Sequence, residues 1–204
     1  KNGALLAERL GLRLVLRGVA DLDLKTDRGV KVDPALLTTD GAALIARPDV
    51  DVVVELIGGT GVAKKFILQA LQLGKPVVTA NKKLLAEYGE EIHRVAEEHK
   101  TEILFEASVG GGIPIIKALR EGLCANRIER IYGILNGTCN YILTRMEEEK
   151  LPFDEVLKAA QAAGYAEAEP SLDIDGHDTA HKAAVLASLA YGCNVPLAKV
   201  KVSG

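Results

Sequence analysis

The segment at residues 51–57, Asp-Val-Val-Val-Glu-Leu-Ile, constrains this chain more than any other. It is nearly all apolar and β-branched. Such a run has no solvent face, which is the pattern of a strand buried on both sides of a parallel sheet. A parallel strand cannot return by a tight hairpin; it needs a crossover, usually a helix. The sequence supplies one. Gly58-Gly59-Thr60-Gly61 reads as a turn, and residues 62–73 have amphipathic helical spacing, stopped by Gly74. Residues 75–80 form the next strand, with Pro76 at its first position. A charged surface helix over 90–100 and a strand over 102–106 continue the alternation. Upstream, residues 4–10 read as the last turns of a helix capped by Gly11, and residues 12–21 as a strand with Leu12, Leu14 and Leu16 at period two. A polar loop over 23–40 leads to a short helix over 42–46, capped by Asp40 and ended by Pro48. Strands alternating with helices at this rhythm predict βαβ units and a parallel sheet.

The rhythm changes after Gly110-Gly111-Gly112. A helix over 113–123 and a strand over 128–135 precede three helices with no strand between them, near 139–149, 153–163 and 177–191. The expected fold is α/β: a truncated Rossmann unit over residues 1–107, parallel and doubly wound, then an α+β region over 108–204. The chain starts at Lys1, without Met and inside what reads as a helix, as a fragment would.

With 48% apolar residues in 204, the core is ample. A net charge of −3 argues against nucleic-acid binding. No run of eighteen apolar residues marks a membrane span, and no basic-plus-apolar leader is visible. Cys124, Cys139 and Cys193 are an odd number without a CxxC pair, which fits a reducing cytoplasm better than a disulfide framework.

A parallel α/β sheet invites the glycine fingerprint GxGxxG after its first strand, and that fingerprint is absent. A strand ending in Ala20-Asp21 is present. In a Rossmann unit the acidic residue at the end of the second strand bonds the adenosine ribose; a plain surface Asp fits as well. Lys25 and Arg28 lie nearby and suit a 2′-phosphate, so the choice between NAD and NADP stays open. Ligands of open α/β sheets sit outside the carboxyl ends of the strands, where Gly58, Gly59 and Thr60 fall, and where Thr79, Ala80, Asn81 and Lys82 follow the next strand. An ordinary turn and exposed lysines at a helix start are the bland alternatives. The run Glu106 to Pro114 can turn carbonyls toward a hard cation, turn N–H groups toward an anion, or serve as a hinge.

The richest stretch is 164–182, GYAEAEPSLDIDGHDTAHK. Asp178 and Lys182 share one helix face at i and i+4. The helix continues almost wholly apolar, so its charged first turns are expected to open into a polar cavity rather than solvent. A lysine there, beside carboxylates, is a candidate acid/base. His177 and His181 offer a rival, the i,i+4 spacing of a zinc hydrolase, on a face about 100° away.

At this point the sequence closely resembles bacterial homoserine dehydrogenases. The resemblance runs through VELIGG (residues 54–59), VVTANK (77–82), FEASVGGGIPII (105–116), LNGTCNYIL (135–143) and the 164–182 stretch. It implies NAD(P)-dependent interconversion of L-homoserine and L-aspartate 4-semialdehyde, on the route to threonine and methionine, by a homodimer in which 1–107 is the cofactor domain and 108–204 the substrate and dimerisation domain. It implies Lys182 as the acid/base, Lys82 in contact with cofactor and substrate, and Asp178 and Asp173 beside the reacting end. Glu167 would hold the substrate's amino group. Gly137, Thr138 and Tyr165 would line the substrate pocket and Gly164 would approach the nicotinamide. Asp21, Gly58, Gly59, Thr60 and Ala80 fall to the cofactor. A sodium site would use Glu106, Val109, Gly111 and Ile113, through backbone carbonyls where side chains cannot serve. A non-catalytic domain keeping the fold for regulation or assembly is a third reading. The set Lys82, Glu167, Asp178 and Lys182 argues against it. Cys139 suits a small packed residue better than a reactive thiol.

Overall fold

The structure, a computed structural model, describes residues 2–204. Helix α1 (Gly3–Leu10) ends at Gly11, whose φ of 67° is the left-handed cap expected of it. Strand β1 (Val19–Ala20) lies parallel to β2 (Leu37–Thr38). Helix α2 (Gly41–Ala46) begins at Asp40, whose side chain accepts from the Ala43 N–H at 2.9 Å. Then come β3 (Val53–Glu55), α3 (Val62–Gln72), β4 (Val77–Thr79), α4 (Lys82–Glu98) and β5 (Ile103–Leu104). The three strands form a parallel sheet in the order β3-β4-β5, with Val53 opposite Val77 and Val77 opposite Ile103. Parallel strands joined by helices make this a Rossmann-like α/β unit. Its geometry matters for one reason: the carboxyl ends of β3 and β4 open side by side.

The second half is helical. A single turn, α5 (Ile115–Lys117), runs on as a wider π-helical stretch over Ala118–Gly122. Helices α6 (Gly137–Glu149), α7 (Phe153–Ala162), α8 (Ser171–Ile174) and α9 (His177–Tyr191) follow. The main core joins the sheet to its helices: Ile67 and Leu71 of α3, Val77 of β4, Leu84 and Ile92 of α4 and Ile103 of β5. Val185 and Leu186 of α9 belong to the same cluster, so α9 docks on α4 across the two halves. That fits the expectation of a buried apolar helix. Ile142, Val156, Ala160 and Ala166 form a smaller second core.

Two expected strands are not formed as read. Of residues 12–21 only Val19–Ala20 pair, and Leu12, Leu14 and Leu16 are exposed. Residues 128–135 are not a strand, and Tyr132 and Ile134 are 83% and 78% exposed. The reason is the same in both. Alternating side chains mark a segment able to be a strand, but a strand exists only where a neighbour takes its N–H and C=O groups. Among the described residues, β2 supplies such a neighbour only for 19–21, and no strand pairs with 12–18 or 128–135. The helix read at 113–123 is split by the π-helical stretch. The helix read at 90–100 starts earlier, at Lys82, because Asn81 caps it with its side-chain oxygen on the Leu84 N–H.

Ile67 is fully buried between α3 and the sheet. Ile67→Ala should lower stability by about 2–5 kcal/mol, the cost of a buried aliphatic truncation with its cavity. Urea unfolding monitored by circular dichroism measures it; an unchanged midpoint would mean that this cluster is not the core.

Candidate active site

Asp178 sits in the first turn of α9, is only 5% exposed, and is held from three sides. Lys82 Nζ, at the start of α4, lies 2.9 Å from Oδ1. Lys182 Nζ, one turn along α9, lies 2.6 Å from Oδ2. Asn136 Nδ2 donates to Oδ2 at 2.8 Å. Burial alone pushes the Asp178 carboxyl up. The hydrogen bonds from Lys182, Lys82 and Asn136 outweigh it and hold the group below the ordinary value of 3.8. Lys182 also donates to the Leu135 carbonyl at 2.7 Å. A lysine ammonium has three donors. Two are spent here, leaving one for a ligand atom.

Asn136 is a junction the sequence reading did not single out. Its Oδ1 accepts from the Cys139 N–H at 2.7 Å and starts α6. Its Nδ2 donates both to Asp178 and, at 2.7 Å, to Asp173 Oδ1. All of its side-chain capacity except one lone pair is used, and it is buried. The only sequence signal was an Asn at the head of an expected helix, which reads as a cap and nothing more. Cys139 is 3.2 Å from the Asp173 carbonyl, and burial followed by the charges of Asp173 and Asp178 pushes its thiol up. That suits a packed residue, since the reactive form is the thiolate.

On the Rossmann-like side, Gly58 and Gly59 have φ of 81° and 68°, and a Cβ at either would meet nothing within 4 Å. They form an open lip at the end of β3, with Thr60 beyond. Ala80 and Lys82 stand at the end of β4, tied across by Asn81 Nδ2 to the Gly59 carbonyl at 2.8 Å. Asp21 follows β1; its carboxylate accepts from the Asp23 N–H and pairs with Arg28 at 3.0 Å. A dinucleotide fits this set: backbone open to close approach at the aligned ends of β3 and β4, and an acidic residue beside a basic one after β1.

The other predicted residues are spread around the centre. Thr138, beside Gly137 at the start of α6, donates to the Tyr165 carbonyl at 2.8 Å, and the Tyr165 ring stacks on Tyr141 at 4.7 Å. Gly164 has φ of 77° on the same exposed loop. Glu167 is exposed, and its carboxylate has no partner among the described residues; only its main-chain carbonyl is bound, by Gln161. In the glycine loop, Gly110 and Gly111 have positive φ, Val109 is buried and Ile113 exposed. The Glu106 carboxylate accepts from the Ile116 and Lys117 N–H groups, both at 2.9 Å. His177 is exposed whereas His181 is buried, and no group of three metal-ligating side chains occurs among the described residues. The pair therefore does not converge on a zinc-hydrolase site.

A Rossmann-like unit whose strand ends meet a lysine–carboxylate cluster on a second, helical region has the architecture of dinucleotide-dependent dehydrogenases. Comparison gives the family. Residues 3–106 match "Homoserine dehydrogenase, NAD binding domain" and residues 114–204 match "Homoserine dehydrogenase". The chain belongs to the homoserine dehydrogenase family. It is 52% identical over 191 residues to the homoserine dehydrogenase of Neisseria gonorrhoeae, covering 94% of this chain and 44% of that one. The crystal structure of a homoserine dehydrogenase from Thiobacillus denitrificans superposes with a TM-score of 0.80 at 50% identity, over 82% of this chain and 39% of that one. A hyperthermophilic archaeal homoserine dehydrogenase in complex with NADPH superposes with a TM-score of 0.71 at 32% identity, over 79% and 52%. The chain spans less than half the length of the curated relatives it matches.

Because Asp178 is depressed in the folded state, its contribution to stability is complete above the unfolded value near 3.8 and is lost as pH falls through the lower folded value. Asp178→Asn should cost about 1–3 kcal/mol at neutral pH, with two lysines left facing an amide. The gap between the two proteins should narrow in acid. Equal gaps at pH 7 and pH 3 in unfolding experiments would show that the carboxylate is not held ionised by this cluster.

Proposed function

We propose that the protein of which this chain is part is a homoserine dehydrogenase. It interconverts L-homoserine and L-aspartate 4-semialdehyde with NAD(P), within the synthesis of threonine and methionine. The observation that carries this is Asp178 bridging Lys82 and Lys182 beside the open glycine lip. A bound nicotinamide dinucleotide supplies the hydride donor or acceptor. The chain's own work is to place the carbinol carbon and to handle one proton.

Lys182 performs the proton step. Asp178 and the Leu135 carbonyl fix its Nζ, so its remaining donor is aimed rather than free. As a cation it polarises the aldehyde and protonates the developing alkoxide; as a neutral amine it accepts the hydroxyl proton in oxidation. Lys82 spends one donor on Asp178 and keeps two for cofactor and substrate oxygens. Asp173, held by Asn136, stands with Asp178 near the reacting end. Glu167, whose carboxylate is unengaged, takes the substrate's ammonium group, with Gly137, Thr138 and Tyr165 forming the wall beside it. Asp21, Gly58, Gly59, Thr60, Ala80 and Gly164 serve the cofactor. Arg28 beside Asp21 leaves both NAD and NADP admissible.

A sodium ion fits the 106–113 loop. Glu106 spends its side chain on α5, so Glu106, Val109, Gly111 and Ile113 would bind through main-chain carbonyls. The buried Ser108 hydroxyl in the same loop has no partner among the described residues, as a polar group near a bound ion or water would. A division into cofactor and substrate domains at 107/108 is favoured by where the helical region begins. A homodimer is favoured by the 128–135 segment, where Tyr132 and Ile134 are bare and a second copy could cover them. No helix is long and apolar enough to cross a membrane. Among the described residues all three cysteines are free, which supports the cytoplasm.

In a polypeptide of full family length, homoserine-dependent reduction of NAD and NADP tests the reading. Lys182→Ala should lower kcat by about 10²–10⁴-fold while dinucleotide affinity stays near wild type. Equal losses in both would remove the proton role. Glu167→Gln should raise the homoserine KM by at least about tenfold with a smaller change in kcat. An unchanged KM would take Glu167 out of the substrate site.

A further inference from the structure

Glu55 is the last residue of β3, only 3% exposed, and no lysine or arginine contacts its carboxylate among the described residues. A lone buried carboxylate is costly unless it is well hydrogen-bonded. Here Oε1 accepts from the Ile57 and Gly58 N–H groups at 2.7 and 2.9 Å. Oε2 accepts from the Thr79 hydroxyl at 2.6 Å. That hydroxyl is buried at the end of β4 and itself accepts from the Asn81 N–H at 3.0 Å. Asn81 closes the circuit by donating to the Gly59 carbonyl.

The direction of each bond is fixed. A threonine hydroxyl has one proton, and Thr79 spends it on Glu55 while taking the Asn81 N–H. The result is a closed ring from the glycine lip through Glu55 and Thr79 to Asn81, the residue before Lys82. We infer that Glu55, acting through Thr79, is a positioning residue that sets the glycine lip and Lys82 at a fixed separation. Neither side chain touches a reacting atom. Each acts on where the lip and Lys82 stand, which is where the proposed function needs the dinucleotide held, and the inference rests on that reading.

Thr79→Val and Thr79→Ser separate positioning from packing. Valine fills the same space and cuts the ring; serine keeps the hydroxyl and removes a methyl. In a full-length polypeptide, Thr79→Val should weaken NADPH binding, read by fluorescence titration, by at least about fivefold and lower kcat by about tenfold. Thr79→Ser should restore both to within about threefold of wild type. Serine as impaired as valine, or valine without effect on either quantity, would overturn the inference. Should Thr79→Val fail to fold, Glu55→Gln decides. It sets an amide donor against the Thr79 donor or the turn's N–H groups, so amide exchange at Ile57 and Gly58 should quicken by at least about tenfold. Unchanged exchange there would equally overturn the inference. A wild-type protein that binds NADPH but does not oxidise homoserine would sink the functional reading. Positioning of the lip would still be judged on binding and exchange.

Discussion

The burial of Asp178 between Lys82 and Lys182 is the constraint on which the rest of this molecule turns. A buried carboxylate with two ammonium partners is a poor investment for stability alone, because desolvation takes back most of the attraction. It also requires two helices from opposite halves of the chain to bring their first turns within hydrogen-bonding distance. The apolar packing of Val185 and Leu186 against the α4 core makes that meeting affordable. The lysine pair then fixes its register, since each ammonium reaches a different oxygen of one carboxylate. Hydrophobic burial supplies the docking energy, and the charge cluster selects which docking.

Two asparagines carry this arrangement into the backbone. Asn81 and Asn136 each use Oδ1 to start a helix and Nδ2 to hold something outside it. Asn81 ties the head of α4 to the glycine lip; Asn136 ties the head of α6 to Asp173 and Asp178. An aspartate could cap either helix equally well but could not donate. The same atom count thus does two jobs, and the site's geometry is inherited from helix starts, which are among the better-determined points of a fold.

The parallel βαβ core and the buried character of α9 were legible because they rest on period and composition, which are local. Asp178 and Lys182 were legible as a pair because i and i+4 on a helix is also local. Lys82 was visible as a strand-end lysine, but its link to Asp178 joins residues nearly a hundred positions apart, which no spacing rule reaches. Asn136 and Glu55 were hidden for a related reason. The first looked like a helix cap and the second like one polar residue in an apolar strand; each acquires its role only from partners brought in by tertiary contacts. The strand read at 12–21, formed only over Val19–Ala20, and that read at 128–135, not formed, fell short in the opposite sense. Their alternation is real, yet pairing belongs to the neighbour as much as to the segment.

Order is distributed unevenly across the site, and the distribution follows the chemistry. Every buried polar atom of Asp178, Asn136 and Thr79 is engaged, so the lysine–carboxylate side is built before any ligand arrives, and a ligand would meet donors already oriented. Glu167, by contrast, rides an exposed loop held through its main chain, by Gln161 on the Glu167 carbonyl and Thr138 on the Tyr165 carbonyl, with Tyr141 stacked on the Tyr165 ring. A carboxylate without a permanent partner is best left solvated, because burying it unpaired is costly. The buried Asp178 and the open Glu167 are therefore two answers to one rule: a carboxylate is held dry only where its partners are permanent.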